Sequence, residues 1–232
     1  MQTLFGSILT KKKKRKKETP AKTVHSSHSF FLANWFGSDI AIDLGTTNII
    51  VYVRKKGIVV NEPAVIALDT NSHRVVAIGK EAQAMLGRTP QHIQAYHPLS
   101  RGVIADYDAT EYMLRYFIRR AIGKSLFFKP RIIICVPSGA TNVEKRAVIE
   151  AAMQAGARKT VVMEEPLAAA IGAGLDVASS NGSMVVDMGG GTTDVAVLSL
   201  SGIVISESLR IGSNTFDEAI IRYLEKIKHI TI

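Results

Sequence analysis

From Ser38 onward, hydrophobic and polar residues follow two patterns that predict strands and helices. Short apolar segments, several with a period of two, predict strands. Arg131–Val136 is almost purely apolar, as expected of a strand that is covered on both faces. The predicted strands are Asp39–Leu44, Asn48–Arg54, Gly57–Val60, Val65–Leu68, Val75–Ile78, Arg131–Val136, Thr160–Met163, two strands within Met184–Val197, and Gly202–Leu209.

Other segments carry apolar residues at helical spacing. In Tyr107–Ile122 these residues follow the i, i+3, i+4, i+7 pattern of a helix with one buried face. Thr141 and Glu144 predict a capping box at the start of a helix over Asn142–Ala155. The remaining predicted helices are Lys80–Leu86, Leu167–Ala173 with Pro166 in its first turn, and a last helix from Asn214 with Phe216, Ile220, Leu224 and Ile227 on one face.

The order of these elements predicts an α/β fold. Three consecutive strands are followed by alternating helices and strands. This order favours a mixed sheet with helices on both faces, the ribonuclease-H-like plan.

A repeated segment occurs twice in the chain. Asp43–Val53 is DLGTTNIIVYV, and Asp187–Leu198 is DMGGGTTDVAVL. Each has an acid, a glycine turn, a Thr-Thr pair and an apolar strand, and each precedes a further strand that begins Gly-Ile-Val. Internal repetition is a stronger signal than any single motif. Because far fewer residues follow the second copy than separate the two, we expect the second lobe to be incomplete.

Both loops have the composition of a phosphate-binding loop. Gly189–Gly191 permit positive φ angles and carry no Cβ, so backbone N–H groups can surround an anion. Neighbouring threonine hydroxyls are further donors, and Asp187 can hold a hydrated Mg²⁺ beside the phosphates. A single loop of this kind could also be a plain glycine-rich turn. Two such loops that face each other would clamp one polyphosphate from both sides.

Glu164, Glu165 and Pro166 connect a predicted strand to a predicted helix. A carboxylate at this point could cap the N-terminus of the helix. If the strand borders the cleft, the carboxylate could instead orient a water for in-line attack on a γ-phosphate. The residues alone leave both interpretations open.

The charge of the chain is concentrated at its start. The 232 residues have a formal net charge of +9, but much of the excess lies in residues 1–37, which contain the basic block Lys11–Lys17. The remainder is close to neutral, so we expect no binding of nucleic acid. The single cysteine, Cys135, lies within a predicted buried strand, where we expect a core residue rather than a disulfide.

Two segments suit an anionic membrane surface. The Lys11–Lys17 block has apolar residues on both sides, which is typical of membrane contact but also of a disordered, solvated tail. The second segment connects a helix to a strand and has a lysine at each end. Its apolar residues could dip into a membrane or be buried under a neighbouring element, and they are Leu126, Phe127 and Phe128.

Longer strings between Ser38 and about Lys226 are more specific than the two glycine loops. They are DLGTTN (Asp43–Asn48), NEPAVIALD (Asn61–Asp69), LGRTP (Leu86–Pro90), GVIAD (Gly102–Asp106), KSLFFKPR (Lys124–Arg131), ICVPSGATNVEKRA (Ile134–Ala147), EEPLAAAIGAGL (Glu164–Leu175) and DMGGGTTDVAV (Asp187–Val197). In these strings the chain resembles the MreB/Mbl family of bacterial actin homologues. The glycine loops alone would also fit DnaK-type chaperones, FtsA or sugar kinases.

The resemblance implies an actin-like ATPase that uses ATP and Mg²⁺. By position, the residues that contact the ATP phosphates would be Gly45, Thr46, Thr47, Asn48, Gly189, Gly190 and Gly191. The residues that face Mg²⁺ and its waters would be Asp43 and Asp187. The attacking water would be positioned by Glu165 and Thr192.

The resemblance also implies partners and a location. The partners would be further copies of the chain in double filaments, the inner membrane surface and cell-wall elongation proteins. Such filaments help to maintain a rod-like cell shape. The implied position is cytoplasmic, at the inner face of the cell membrane.

Three regions are expected. Residues 1–37 form a basic extension, which is not typical of the family. Residues 38–182 form the first actin-like domain, with phosphate loop 1, which contains Gly45–Asn48, and a small subdomain at about 61–106. Residues 183–232 begin the second domain, with phosphate loop 2, which contains Gly189–Gly191. Since the family continues well beyond Ile232, we expect a C-terminally truncated chain.

The sequence leads to three functional hypotheses. The first is an ATP-dependent, membrane-associated filament protein that directs cell shape and cell-wall elongation. The second is a truncated, non-catalytic relative that binds membrane or full-length filaments without ATP turnover. The third is a DnaK-type chaperone ATPase domain, which would need a peptide-binding domain after the nucleotide domain. We expect the 232-residue chain alone to hydrolyse ATP negligibly.

Overall fold

A computed structural model describes residues 39–123 and 129–231 of the chain. The Lys11–Lys17 block and Leu126–Phe128 lie outside the described residues, so their membrane contacts stay predictions. Within the described ranges, no helix is long and apolar enough to cross a membrane.

The first sheet has five strands, in the spatial order Lys159–Glu164, Arg131–Val136, Asp39–Leu44, Asn48–Val53 and Gly57–Pro63. The consecutive antiparallel strands are β1 (Asp39–Leu44), β2 (Asn48–Val53) and β3 (Gly57–Pro63).

 The parallel strands β7 (Arg131–Val136) and β8 (Lys159–Glu164) extend the sheet beyond β1. This is the mixed sheet that the sequence predicts, and β3 is longer than its predicted range of Gly57–Val60.

Helices cover both faces of this sheet. On one face lie α2 (Tyr107–Ile122) and α3 (Asn142–Gln154), and Phe117 of α2 is fully buried against the sheet. The predicted capping box of α3 is confirmed, because Thr141 accepts from the Glu144 N–H while the Glu144 carboxylate accepts from the Thr141 N–H. The opposite face packs against α4 (Glu165–Gly172).

A small sheet and a hairpin lie between β3 and α2. The small sheet consists of β4 (Ile66–Asp69), β5 (Val75–Ile78) and β6 (Ile93–Tyr96), with β4 in the centre. The sequence did not predict β6, which is short and contains polar Gln94. Helix α1 (Lys80–Gln83) ends earlier than the predicted Leu86. The hairpin pairs two-residue strands, Leu99–Ser100 with Val103–Ile104, which are too short to give a sequence pattern.

The second sheet is an antiparallel meander of three strands. They are β9 (Ser183–Met188), β10 (Thr193–Ser199) and β11 (Gly202–Leu209), with β10 in the centre. The last α-helix, α5 (Ser213–Tyr223), follows and has no buried residue. Its predicted apolar face is exposed, with Phe216 49% and Ile220 58% accessible to solvent.

Candidate functional site

A cavity of about 460 Å³ lies between the two sheets. Its volume is in the range of ordinary small-molecule sites, roughly 300–1,000 Å³. Both predicted phosphate loops line it, and one wall is the small-residue face of α4. Every residue that was assigned by position to ATP, Mg²⁺ or the attacking water lines this one cavity: Asp43, Gly45, Thr46, Thr47, Asn48, Glu165, Asp187, Gly189, Gly190, Gly191 and Thr192.

The two loops touch each other at one edge of the cavity. A Cβ placed on Gly190 would overlap the Thr47 hydroxyl, and one placed on Gly191 would lie 2.6 Å from the Thr46 hydroxyl oxygen. The glycines are therefore needed for this close approach. Gly189–Gly191 permit positive φ angles, but none of the three has a positive φ in the structure.

The second loop is also fixed to the start of α5. The carbonyls of Gly189 and Gly190 accept from the backbone N–H groups of Ser213 and Asn214. Gly212 allows this contact, since a Cβ there would lie 2.5 Å from the Gly190 carbonyl oxygen. Asn214 also reaches the first loop, because its side-chain oxygen accepts from the Thr47 hydroxyl at 3.2 Å. Hydrogen bonds thus join loop 1 and loop 2 to the start of α5.

The two copies of the repeat align differently by strand pairing than by their Thr-Thr pairs. In β1–β2, Asp43 pairs with Ile50; in β9–β10, Asp187 pairs with Asp194. Both partners are seven residues after the acid, so the two hairpins share one register. The two Thr-Thr pairs are not equivalent, because Thr46 and Thr47 lie within their turn whereas Thr193 already belongs to β10.

Three carboxyl groups interact across the cavity. Burial, followed by the charge of Asp187, raises the pKa of Asp43 to about 6. Burial also raises the pKa of Asp187, with Asp194 as the second cause. For Glu165, burial followed by the charges of Asp43, Asp194 and Asp187 raises the pKa to about 9. A bound cation would relieve this repulsion, and strongly raised pKa values in a cavity are typical of functional sites.

The two acids of the junction between β8 and α4 have different surroundings. Glu164 precedes the helix, but its side chain makes no capping hydrogen bond. It accepts instead from the Lys145 ammonium at 3.1 Å. Glu165 lines the cavity. Glu164 therefore does not cap the helix. Of these two acids, Glu165 is the one that lines the cavity and for which a role in orienting water stays a hypothesis.

The donor set fits Mg²⁺ held largely through water and phosphate. Among residues 39–123 and 129–231, no group of three or more His, Cys, Asp or Glu side chains could hold a metal ion by itself. Mg²⁺ commonly keeps several waters and is bound through one or two carboxylates together with substrate phosphates. Asp43 and Asp187 could supply those two carboxylates from opposite loops.

Three residues around the site, Asp194, Ser138 and Asn214, were not predicted from the sequence, and Cys135 was predicted only as a core residue. Cys135 is buried as predicted, but it also lines the cavity beside Asp43, its partner in the β1–β7 pairing. Asp194 and Ser138 connect the two sheets beside the site, and Asn214 of α5 contacts Thr47 of the first loop. The hairpin register would have identified Asp194, whereas Ser138 and Asn214 have no local signal.

The family assignment follows from comparison of the sequence with known proteins. The family model described as MreB/Mbl protein matches residues 37–232. The chain belongs to the MreB/Mbl family. It is 50% identical over 191 residues to the cell shape-determining protein Mbl of Bacillus cereus, with 82% of this chain and 57% of that protein covered. The chain therefore spans little more than half the length of this MreB/Mbl relative.

Other MreB/Mbl comparisons agree. The cell shape-determining protein MreB of Haemophilus influenzae is 53% identical over 196 residues, which cover 82% of this chain and 56% of that protein. Crystal structures of MreB5 of Spiroplasma citri, bound to ADP and to AMPPNP, match with a TM-score of 0.79 and 35% identity. They cover 85% of this chain and 59% of the MreB5 chain.

A more distant structure shows the fold alone. The MamK double helical filament matches with a TM-score of 0.69 at 21% identity, and covers 84% of this chain and 61% of the MamK chain. Together with the MreB5 structures, it shows that the fold is actin-like.

Proposed function

We propose that this chain binds ATP with Mg²⁺ between its two phosphate loops, as an actin-like protein of the MreB/Mbl family. The observation that carries the proposal is that both copies of the repeat line one cavity and touch each other through Gly190 and Thr47. Two loops in contact can hold one polyphosphate from both sides. The relative MreB5 was crystallised with ADP and AMPPNP, which supports the same ligand class.

The residues of the cavity have distinct tasks in this proposal. Backbone N–H groups and threonine hydroxyls of the loops hold the phosphates by hydrogen bonds. Mg²⁺, when bound, supplies positive charge that stabilises the phosphates during transfer. Glu165 and Thr192 orient the attacking water, and Glu165 accepts its proton. Since burial and three neighbouring acids raise the pKa of Glu165 to about 9, Glu165 must ionise before it can act as a base.

In a chain completed with the C-terminal part of a full-length MreB relative, replacing Glu165 with Gln is expected to slow ATP hydrolysis about 100-fold or more, the size of a general-base contribution. ATP affinity should stay within about threefold, because the phosphate contacts remain. Affinity can be measured by calorimetry, and hydrolysis by single-turnover phosphate release with protein in excess.

Glu164→Gln is the matched control for this experiment, because Glu164 is the adjacent acid but binds Lys145 and does not line the cavity. It should leave both quantities near wild type. Equal loss of binding and hydrolysis in Glu165→Gln would instead assign Glu165 a structural role. Failure of the wild-type chain to bind any adenine nucleotide would contradict the nucleotide proposal itself.

The cellular role that we propose is that of a cytoskeletal filament protein in cell shape. Its support is the family, in which Mbl of Bacillus cereus and MreB of Haemophilus influenzae are named cell shape-determining proteins, and the MamK filament, which has the same fold. We propose that copies of this chain assemble with each other, and that cell-wall elongation proteins are further partners.

We also propose that the protein binds the inner face of the membrane through the Lys11–Lys17 block and through Leu126–Phe128. Full burial of one such apolar side chain contributes about 1.5–3 kcal/mol, and each lysine near an anionic surface contributes about 1 kcal/mol. Deleting the block and replacing Phe127 and Phe128 with Ser should each weaken co-sedimentation with anionic vesicles. The combined variant should bind least.

Neutral vesicles separate the two contributions. Loss of the lysines should matter only on anionic vesicles, whereas loss of the phenylalanines should weaken binding to both kinds. Unchanged sedimentation of all variants with anionic vesicles would contradict membrane contact by these segments.

A further inference from the structure

Asp194 is a buried carboxylate beside the phosphate site that the proposed function does not use. It is only 1% exposed, and it is paired directly with Asp187 across β9 and β10. Side chains at paired positions of antiparallel strands lie on the same face with Cβ atoms about 5 Å apart, and like charges there repel. A buried carboxylate in this place needs hydrogen-bond donors.

The donors come from the other sheet. The backbone N–H of Ser138 donates to Asp194 Oδ1 at 2.8 Å, and the Ser138 hydroxyl donates to the same oxygen at 2.6 Å. Ser138 lies two residues after β7, the strand in which Cys135 pairs with Asp43. The Asp194–Ser138 contact therefore joins the strand after loop 2 to the strand beside loop 1.

The equivalent position of the first hairpin shows that the fold does not require a carboxylate here. Ile50 has the same register relative to Asp43 that Asp194 has relative to Asp187. Ile50 is apolar and 9% exposed. The carboxylate is thus specific to the second hairpin, where it costs repulsion against Asp187 and gains two charge-assisted hydrogen bonds.

Another polar contact, between the residue after β11 and helix α3, is much more exposed. Arg210 forms an ion pair with Glu144 at 3.2 Å, and the Arg210 side chain is 52% exposed. Exposed ion pairs contribute little because solvent screens them. Asp194–Ser138 is buried and short, so it can hold the sheets at a defined separation, whereas Arg210–Glu144 cannot.

We propose that Asp194 is a positioning residue, which through Ser138 holds loop 2 at a fixed distance from the first sheet and so sets the width of the phosphate clamp. This inference rests on the proposed function for its effect on nucleotide. Its effect on the loop itself does not depend on nucleotide, because the contact is present in the protein alone.

The first test uses the nucleotide-free chain and hydrogen–deuterium exchange. Ser138→Ala removes one of the two donors and should speed exchange about tenfold at Gly189–Thr193, the size expected for a hydrogen bond to a charged group. Asp194→Ala removes the acceptor and should speed it further. Ser138→Thr keeps both donors and should restore protection. Arg210→Gln is the matched control and should change exchange at this segment less than twofold.

The second test measures affinity for Mg²⁺–AMPPNP by calorimetry. Ser138→Ala should weaken this affinity about tenfold, and Ser138→Thr should restore it. The double variant Ser138→Ala with Asp194→Ala should be no weaker than Asp194→Ala alone, because both changes remove one interaction.

Two results would overturn the proposal. One is exchange at Gly189–Thr193 that is the same in Ser138→Ala, Asp194→Ala and Arg210→Gln. The other is nucleotide affinity that is unchanged in Ser138→Ala. If the wild-type chain binds no nucleotide, the proposed function fails, and the exchange measurement alone then decides whether Asp194 holds loop 2.

Discussion

Replacing Gly190 with Ala is expected to weaken binding of Mg²⁺–ATP by at least about 100-fold, or about 2.7 kcal/mol. The new Cβ would overlap the Thr47 hydroxyl and lie 2.9 Å from the Thr47 Cβ. Real Cβ atoms do not approach so closely, so the two loops must move apart. A clamp that has been widened in this way can no longer contact the phosphates from both sides. Calorimetry with Mg²⁺–ATP would measure the loss.

Gly202→Ala is the matched control in the same sheet. A Cβ at Gly202 would have Ser199 O as its nearest neighbour at 3.9 Å, an ordinary contact. This variant should bind ATP like wild type. The overlap should also lower the free energy of unfolding of Gly190→Ala, and adding Thr47→Gly, which removes the overlapping atoms, should recover part of that loss. If Gly190→Ala bound ATP as tightly as Gly202→Ala, contact between the loops would be irrelevant to binding.

The positions of the candidate site residues could be predicted from the sequence because the repeat carries them. Asp43 and Asp187 each follow an apolar strand and precede a glycine turn, and the structure brings both to one cavity. The physical reason for the glycines was only half predicted. Gly190 and Gly191 are needed for the approach of loop 1, not for positive φ angles.

Contacts between the sheets could not be predicted in this way. Ser138 and Asp194 are 56 residues apart, and nothing in the local pattern of either residue specifies the other. The two loops were aligned by their Thr-Thr pairs, which does not give the common hairpin register. In that register, Asp194 corresponds to Ile50. Local periodicity predicts elements well, but contacts between them depend on how the elements pack.

The nucleotide-free protein is expected to lose stability as the pH rises from 6 to 9, because of Glu165. Burial, with the charges of Asp43, Asp194 and Asp187, raises the pKa of Glu165 from 4.5 to about 9. Below pH 4.5 the carboxyl is protonated in both states and has no effect on the pH dependence. Between pH 4.5 and about 9, Glu165 is ionised in the unfolded chain but keeps its proton in the folded protein, so rising pH favours unfolding.

Asp43 acts in the same direction at lower pH, since its pKa is raised from 3.8 to about 6. Above pH 6 the slope is therefore mainly that of Glu165, at most about 1.4 kcal/mol per pH unit. Glu165→Gln removes this ionisation. The free energy of unfolding of Glu165→Gln relative to wild type should therefore increase by about 1–3 kcal/mol between pH 6 and 8. Urea unfolding at several pH values would measure this difference.

Glu218→Gln is the control, because Glu218 is an exposed acid on α5. Its unfolding free energy should follow the wild-type pH dependence. Saturating Mg²⁺–ATP should also flatten the wild-type curve, since a cation between Asp43 and Asp187 favours the ionised form of Glu165. Parallel curves for Glu165→Gln and wild type between pH 6 and 8 would mean that Glu165 is already ionised in the nucleotide-free cavity. Glu165 could then act as a base without help from the cation, because its proton would be lost before nucleotide binds.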